Sequence, residues 1–358
     1  MHTQLTRAWV EVDLGALLRN GAAMAARGAL LIPMIKADAY GLGAVPVARA
    51  LEALDPFGYG VATLEEGAAL RAAGITRRVI VFTPVQGREL TELRAAQLTP
   101  ILARVEDIHD WRAAGGGAWH LPIDTGMGRC GVPAAEIATL AAAVAALPPE
   151  GAFTHFHSAE RDDGSVAEQE GRFAAAVATL GTRPRYLHTE NSAALARRDR
   201  SSWDLARPGI FLYGVGSGPH ALVQPEPVVS VRARIVALRT VSAGDTVSYG
   251  GEWRAERESR IATAAIGYAD GYRRAFSGVG SAIVRGARVP VAGIVTMDMT
   301  MLDVSGVPCE IGDIATFVGV DGGASVTLDQ AAAASGVSPY ELLTGFGARP
   351  VHIYPGDA

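Results

Sequence analysis

Between residues 14 and 214, short apolar and β-branched runs alternate with longer stretches in which Ala, Leu, Glu and Arg recur at helical spacing. The strand-like runs are Leu30–Lys36, Phe57–Thr63, Arg78–Thr83, Thr99–Ala103, Ala118–Asp124, Ala152–Phe156, Tyr186–Thr189 and Gly209–Tyr213. The segments Leu64–Ala73, Glu89–Gln97, Val105–Ala114, Ala134–Leu147 and Ala167–Leu180 carry the helical pattern. Such alternation predicts a parallel sheet covered by helices, and eight strands in roughly two hundred residues fit an α/β fold of the closed (β/α)8, or TIM, type. An open doubly wound sheet is the alternative. It lacks support because Gly214-Val215-Gly216-Ser217-Gly218 follows the last strand and leads into Pro219 rather than a helix.

The pattern changes after the Pro-containing segment Val223-Gln224-Pro225-Glu226-Pro227, which reads as a linker. Beyond it lie strand candidates at Val229–Val241, Asp245–Tyr249, Arg260–Ile266, Ser281–Val284, Val289–Val304 and Ile314–Val318, separated by Gly turns. A helix over Pro339–Leu343 and a strand near Val351–Tyr354 finish the chain. The expected division is a barrel over residues 1–226 and a C-terminal all-β domain over 227–358.

Composition narrows the class. Hydrophobic residues make up 49% of 358, enough for a large core, and the net charge of −5 offers no footprint for nucleic acid. Two cysteines, Cys130 and Cys309, suggest a reducing compartment rather than a disulfide scaffold. Residues 1–14 lack a signal-peptide core, and no apolar run reaches membrane-spanning length. A cytoplasmic protein without membrane attachment is expected.

Among 32 Lys and Arg residues only Lys36 is a lysine. Arginine substitutes for lysine in most ion pairs but cannot form an imine, so a retained lysine at the end of a buried strand suggests a working amine. Desolvation there favours its neutral, nucleophilic form. Nucleotide bias is the alternative. In a (β/α)8 barrel, chemistry gathers at the C-terminal strand ends. Those ends carry Lys36, the Asp124–Arg129 segment, His155 and His157, His188 to Ser192, and Arg207 to Ile210. An amine, two arginines, imidazoles and backbone amides beside a serine suit a phosphorylated aromatic aldehyde. Singly, each residue has a structural explanation: an ion pair for Arg129, a core histidine for His155, helix caps for Asn191 and Ser192, strand aromatics for Tyr249 and Tyr268. A metal site is not expected, because His155 and His157 have no Cys or His partner at ligand spacing in the C-terminal domain.

Lys36-Ala37-Asp38-Ala39-Tyr40-Gly41 and Asp124-Thr125-Gly126-Met127-Gly128-Arg129 are the two most specific motifs. Thr154-His155-Phe156, His188 through Ser192, Arg207-Pro208-Gly209-Ile210, Ser248-Tyr249-Gly250, Ile266 through Gly271 and Thr296-Met297-Asp298 follow in order. In these motifs the whole chain resembles the alanine racemases, pyridoxal-phosphate enzymes with a barrel and a C-terminal β domain. The resemblance implies that Lys36 bears the cofactor, that Tyr40, Ser192, Gly209 and Ile210 hold its phosphate, and that Asn191 is a further cofactor contact. It places Arg129 by the cofactor's phenolic oxygen and the substrate carboxylate, Arg207 at the pyridine nitrogen, and His188 behind Arg207. Tyr249, hydrogen-bonded toward His155, becomes the second base and reaches in from the other subunit of a homodimer. Met297 and Asp298 would contact substrate, and Tyr268 would narrow the entrance.

Three positions depart from the family's better-known pattern. Pro122 stands where many members carry a carbamylated lysine, Ala348 where some carry a tyrosine, and Gly293-Ile294-Val295 where Gly-Arg-Val is common. The expected activity is racemisation of alanine for bacterial cell-wall synthesis. The alternatives are a racemase of serine or a larger amino acid, a barrel lyase, and a non-catalytic cofactor carrier.

Overall fold

The structure is a computed structural model and describes residues 6–85, 87–347 and 349–355. Among the described residues, eight short parallel strands form a ring: Leu30–Leu31, Gly58–Val61, Arg78–Val81, Thr99–Pro100, His120–Asp124, Gly151–Phe153, Tyr186–His188 and Leu205–Ala206. Leu205–Ala206 pairs with Leu30–Leu31. Single bridges Met34 to Gly60, Ile101 to His120 and Asn191 to Arg207 close the remaining gaps. The first strand continues in effect to Ile35. Ile32 and Met34 donate to the carbonyls of Ala206 and Pro208 on one side, and Ile35 donates to Gly60 on the other.

The ring is filled rather than hollow. Ile32, Phe57, Ile80, Ile101, Phe153 and Leu205 meet inside it, each buried. Their alternate neighbours, such as Val79 and Val81, join the larger core between the strands and the surrounding helices. The barrel interior also takes in two histidines, with His188 stacked on Phe153 and His120 edge-on to His188.

The eighth strand lies at Leu205–Ala206, not at Gly209–Tyr213 as the apolar pattern suggests. Ile210–Tyr213 is a buried 3-10 turn. A short apolar run reads alike as strand or buried turn, and Pro208, which lacks an N–H, ends the ladder just before it. The expected helix Ala134–Leu147 is a 3-10 segment, Ala134–Leu140, followed by an α-helix, Ala141–Ala146.

The C-terminal region is β-rich. Its spine is the bulged strand Val229–Val241, which pairs with Ser259–Ala264 and Ile314–Asp321. The first described strand of the chain, Ala8–Val12, pairs with this spine and with Val351–Ile353. The expected division at residues 226 and 227 therefore leaves one strand from the start of the chain within the C-terminal sheet. Two helices also lie here: Leu328–Ser335, opened by a Thr327/Gln330 capping box, and Pro339–Gly345, capped by Ser338. The second packs on the barrel mouth, so closely that a Cβ on Gly41 would come within 2.9 Å of the Leu343 carbonyl oxygen.

The expected strand Val289–Val304 is two strands, Ala287–Pro290 and Thr300–Asp303, and Met297 and Asp298 lie on the loop between them. Tyr249 is not on a strand. It opens a 3-10 turn after Ser248, with positive φ at Ser248, Gly250 and Gly251.

Candidate active site

A cavity of about 760 Å³ opens at the C-terminal ends of the barrel strands. Its wall brings together Lys36, Tyr40, Arg129, His155, Asn191, Ser192, Arg207, Gly209 and Ile210, contributed by strand ends far apart in sequence. His188 stands behind Arg207 and is fully buried.

Lys36 heads a turn, Lys36–Gly41, in which Ala37, Asp38, Ala39 and Tyr40 all have φ between 52° and 59°. The amine sits at the cavity wall. Burial, and then the charge of Arg129, push it below the ordinary lysine range, with Glu66 opposing. The turn delivers Tyr40 to the opposite end of the cavity, where its ring lies 4.7 Å from that of Tyr213. A Cβ on Gly209 would collide with the Tyr40 hydroxyl, so only glycine leaves that space open.

Arg207 is the most constrained cation. Its Nη1 donates to His188 Nδ1 at 2.6 Å and to the His188 carbonyl at 3.0 Å. Its Nη2 donates to the carbonyls of Thr154 at 2.6 Å and Thr189 at 3.1 Å. Burial, only partly opposed by buried Glu190, pushes the guanidinium down to about 9. It therefore remains a cation near neutral pH.

An arginine can only donate, so His188 Nδ1 accepts and the proton of the neutral ring is on Nε2. That proton points at His120 Nδ1, 2.8 Å away. His120 then carries its own proton on Nε2, which faces Glu150 Oε2 at 3.8 Å. Glu150 is held by Arg78 at 2.9 Å. A line of polar groups thus runs through the barrel interior from Arg207 to the opposite mouth. Burial first, then Arg207, hold His188 well below the histidine range.

At the far end of the cavity, the Ser192 hydroxyl accepts from the Gly209 N–H at 2.8 Å and the Phe211 N–H at 3.4 Å. Asn191 caps the helix Ser192–Ala196 by accepting from Ala194 N–H at 3.0 Å. The loop bearing Arg129 is shaped by Asp124, whose Oδ1 accepts from the N–H groups of Gly126 at 2.9 Å and Gly128 at 3.2 Å. Arg129 itself makes no hydrogen bond or ion pair among the described residues. His155 is pushed down to about 3 by burial and by the charges of Arg207, Arg129 and Lys36, so its imidazole is neutral.

Tyr249, Tyr268, Met297 and Asp298 do not line this cavity. Tyr249 is 70% exposed, Met297 53% and Tyr268 41%. Hydrogen bonds link the segments that carry them. Tyr268 N–H donates to the Thr296 carbonyl at 3.0 Å, Ala269 N–H to that of Met297 at 3.0 Å, and Ser248 Oγ to that of Ile294 at 2.7 Å. Two arginines hold Asp298: Arg349 engages its carboxylate at 2.8 Å, and Arg7 its carbonyl at 3.2 Å. Both arginines also hold Asp270, so Asp298 anchors the Met297 loop through a charge cluster. Ala348 lies outside the described residues.

Sequence reading missed Ser338 and Tyr340, which the C-terminal region places on the cavity wall. Tyr340 lies 6.0 Å, ring to ring, from Tyr40. Only the Ser338-Pro339 helix start was visible in the sequence, and nothing local tied it to the barrel.

The chain matches the profile described as "Alanine racemase, N-terminal domain" over residues 12–217 and that of the C-terminal domain over 228–354. It is 38% identical over 344 residues to the alanine racemase of Sorangium cellulosum (strain So ce56), covering 90% of each chain. It superimposes on the alanine racemase from Streptomyces coelicolor A3(2) with a TM-score of 0.93, at 33% identity over 99% of both chains. The alanine racemase from Bartonella henselae, solved with covalently bound pyridoxal phosphate, gives a TM-score of 0.89 at 26% identity, covering 97% of this chain and 99% of that one.

Proposed function

The chain belongs to the alanine racemase family, and from that membership we propose that it interconverts L- and D-alanine as a pyridoxal-phosphate-dependent homodimer. The observation that carries this reading is one cavity that collects the chain's only lysine and a buried arginine held through both terminal nitrogens. The Tyr249 hydroxyl stands apart on an exposed face, where a second copy can receive it.

The residues fit the cofactor. Lys36 would bear it, the Tyr40 and Ser192 hydroxyls with Gly209 and Ile210 would hold its phosphate, and Arg207 would face its ring nitrogen. The space at Gly209, which a Cβ would fill, is the mark of a close approach. When bound, the cofactor supplies a conjugated ring that acidifies the α-hydrogen of a linked amino acid.

Racemisation takes a proton from one face of the α-carbon and returns one to the other. A single base would have to cross the plane, whereas a lysine amine and a tyrosine on opposite faces need not. Lys36 serves one face, its neutral form favoured by burial and Arg129. Tyr249 of a second copy serves the other, beside neutral His155. Arg129, which has no hydrogen bond or ion pair among the described residues, would bind the substrate carboxylate. Arg207 would face the ring nitrogen of the bound cofactor, and a guanidinium, a poor proton donor, would favour prompt proton return over transamination.

Val236, Tyr249 and Met299 line one open apolar hollow of the kind a partner covers, and Tyr268 and Met297 are also exposed. Among the described residues no helix is long and apolar enough to cross a membrane. A cytoplasmic enzyme supplying D-alanine to the cell wall accords with this.

The deciding experiment follows α-hydrogen exchange in deuterated water with L-alanine, L-serine and L-lysine, with chiral analysis of the products. Alanine should exchange and racemise fastest; faster turnover of serine or lysine would reassign the substrate. Borohydride reduction and peptide mapping should leave the pyridoxyl label on Lys36.

A further inference from the structure

Lys36 presents its amine from a backbone that L-residues avoid. Ala37, Asp38, Ala39 and Tyr40 are successive left-handed residues, a conformation in which the Cβ of an L-residue crowds the following carbonyl oxygen. It persists only where the surroundings over-determine it.

Three side chains do so. Asp38 Oδ1 accepts from Ala44 N–H at 2.6 Å, and the Tyr354 hydroxyl donates to the Leu42 carbonyl at 2.9 Å. Both act beyond the turn's far end. At its start stands Glu66, in the first turn of the helix Leu64–Ala72. Its Oε1 accepts from the Ala37 N–H at 2.7 Å and its Oε2 from the Ala62 N–H at 2.7 Å. One carboxylate therefore ties the peptide immediately after Lys36 to the end of the strand Gly58–Val61. Both oxygens are engaged with the main chain. A carboxylate is the one side-chain group able to accept twice in this way while also carrying charge.

The charged groups that act on the Lys36 amine are Arg129, from the loop after a barrel strand, and Glu66 from its own helix; neutral His155 is a titratable group that the amine's charge reaches. Glu66 is the anion among them.

We propose that Glu66 is a positioning residue for Lys36: by bridging the amides of Ala37 and Ala62 it fixes the start of the left-handed turn and, with its charge, the setting of the amine. This rests on the reading of Lys36 as the cofactor lysine. The bland alternative is that Glu66 merely steadies its own helix. Thr63 separates the two, because its hydroxyl caps the same helix by accepting from the Glu66 N–H at 3.3 Å without touching the Lys36 turn.

The sole lysine makes the test direct. Full-length, cofactor-free protein grown on [ε-¹³C]lysine gives one side-chain resonance, which reports the geometry and titration of Lys36. Glu66→Gln keeps the volume, loses the charge, and sets an amide NH₂ against one of the two N–H donors. Its titration midpoint should fall below that of the wild type by about 0.5 or more, because the opposing anion is gone. Glu66→Ala should also broaden or split the resonance, and the borohydride-labelled fraction at sub-saturating pyridoxal phosphate should drop severalfold. Thr63→Ala should lower the melting temperature and leave the resonance where it was.

If Glu66→Gln leaves the resonance and midpoint unchanged, or Thr63→Ala moves them as far, Glu66 is only a helix contact and the proposal is wrong. Should Glu66→Ala not fold, Glu66→Gln still decides. Borohydride mapping of the wild type judges the role of Lys36 separately, so the two failures cannot be confused.

Discussion

Lys36 lines the cavity, whereas Tyr249 is 70% exposed on another face of the same chain. If each active site takes its amine from one copy and its phenol from the other, two inactive variants should rescue each other. Lys36→Ala removes one base and Tyr249→Phe the other, so each homodimer is silent at both sites. Random mixing gives hybrids as half of all dimers. In a hybrid, the cavity with intact Lys36 belongs to the Tyr249→Phe chain and receives intact Tyr249 from the Lys36→Ala chain. One site in two is then complete, so the mixture should recover about a quarter of wild-type racemase activity, and tag-purified hybrids about half. If a single chain supplied both groups, every hybrid site would lack one of them and recover nothing. The assay is co-expression with two affinity tags, tandem purification and D-alanine formation. Verified hybrids no more active than their parents would refute the shared site.

Arg207→Glu should raise transamination relative to racemisation, read as pyruvate formed per D-alanine; unchanged partitioning would remove the role given to the guanidinium. His120→Leu strands the His188 Nε2–H in the barrel interior and should cost about 1–3 kcal/mol in urea unfolding of the cofactor-free protein. Wild-type stability in that variant would contradict the assigned tautomer. Acid should destabilise the protein through its buried histidines. The unfolded chain binds their protons below about pH 6.5, while native His155 does so only near 3 and His188 is also held low. Stability should therefore fall as pH drops from about 6.5, by up to about 1.4 kcal/mol per pH unit for each such histidine. His155→Gln should flatten that dependence; an identical slope would argue that His155 is not buried neutral.

Much of the barrel was legible because a buried parallel strand and an amphipathic helix have different periods, and both are local. Seven of the eight strand positions came out of that pattern. The eighth did not, because Ile210–Tyr213 is as apolar as a strand while Leu205–Ala206 is only two residues long. Lys36 was legible as the sole amine at a strand end. Its left-handed turn was not, since Ala37, Asp38 and Ala39 have no side-chain need for positive φ. His120 was passed over as one polar residue in an apolar run, although it supports His188. Glu66 read as an ordinary residue in the first turn of a helix.

The sequence by itself determined the strand–helix alternation of the barrel, the change to β structure after Pro227, and which side chains were available for chemistry. These depend on short-range spacing and on residue type, which the chain carries at every position. Closure of the barrel decided that Lys36, Arg129, His155 and Arg207 share one cavity, that a relay of imidazoles crosses its interior, and that Tyr340 reaches its mouth. It also left Tyr249 outside. Such facts depend on where segments hundreds of residues apart come to rest, and the free energy that sets those places belongs to the packed whole.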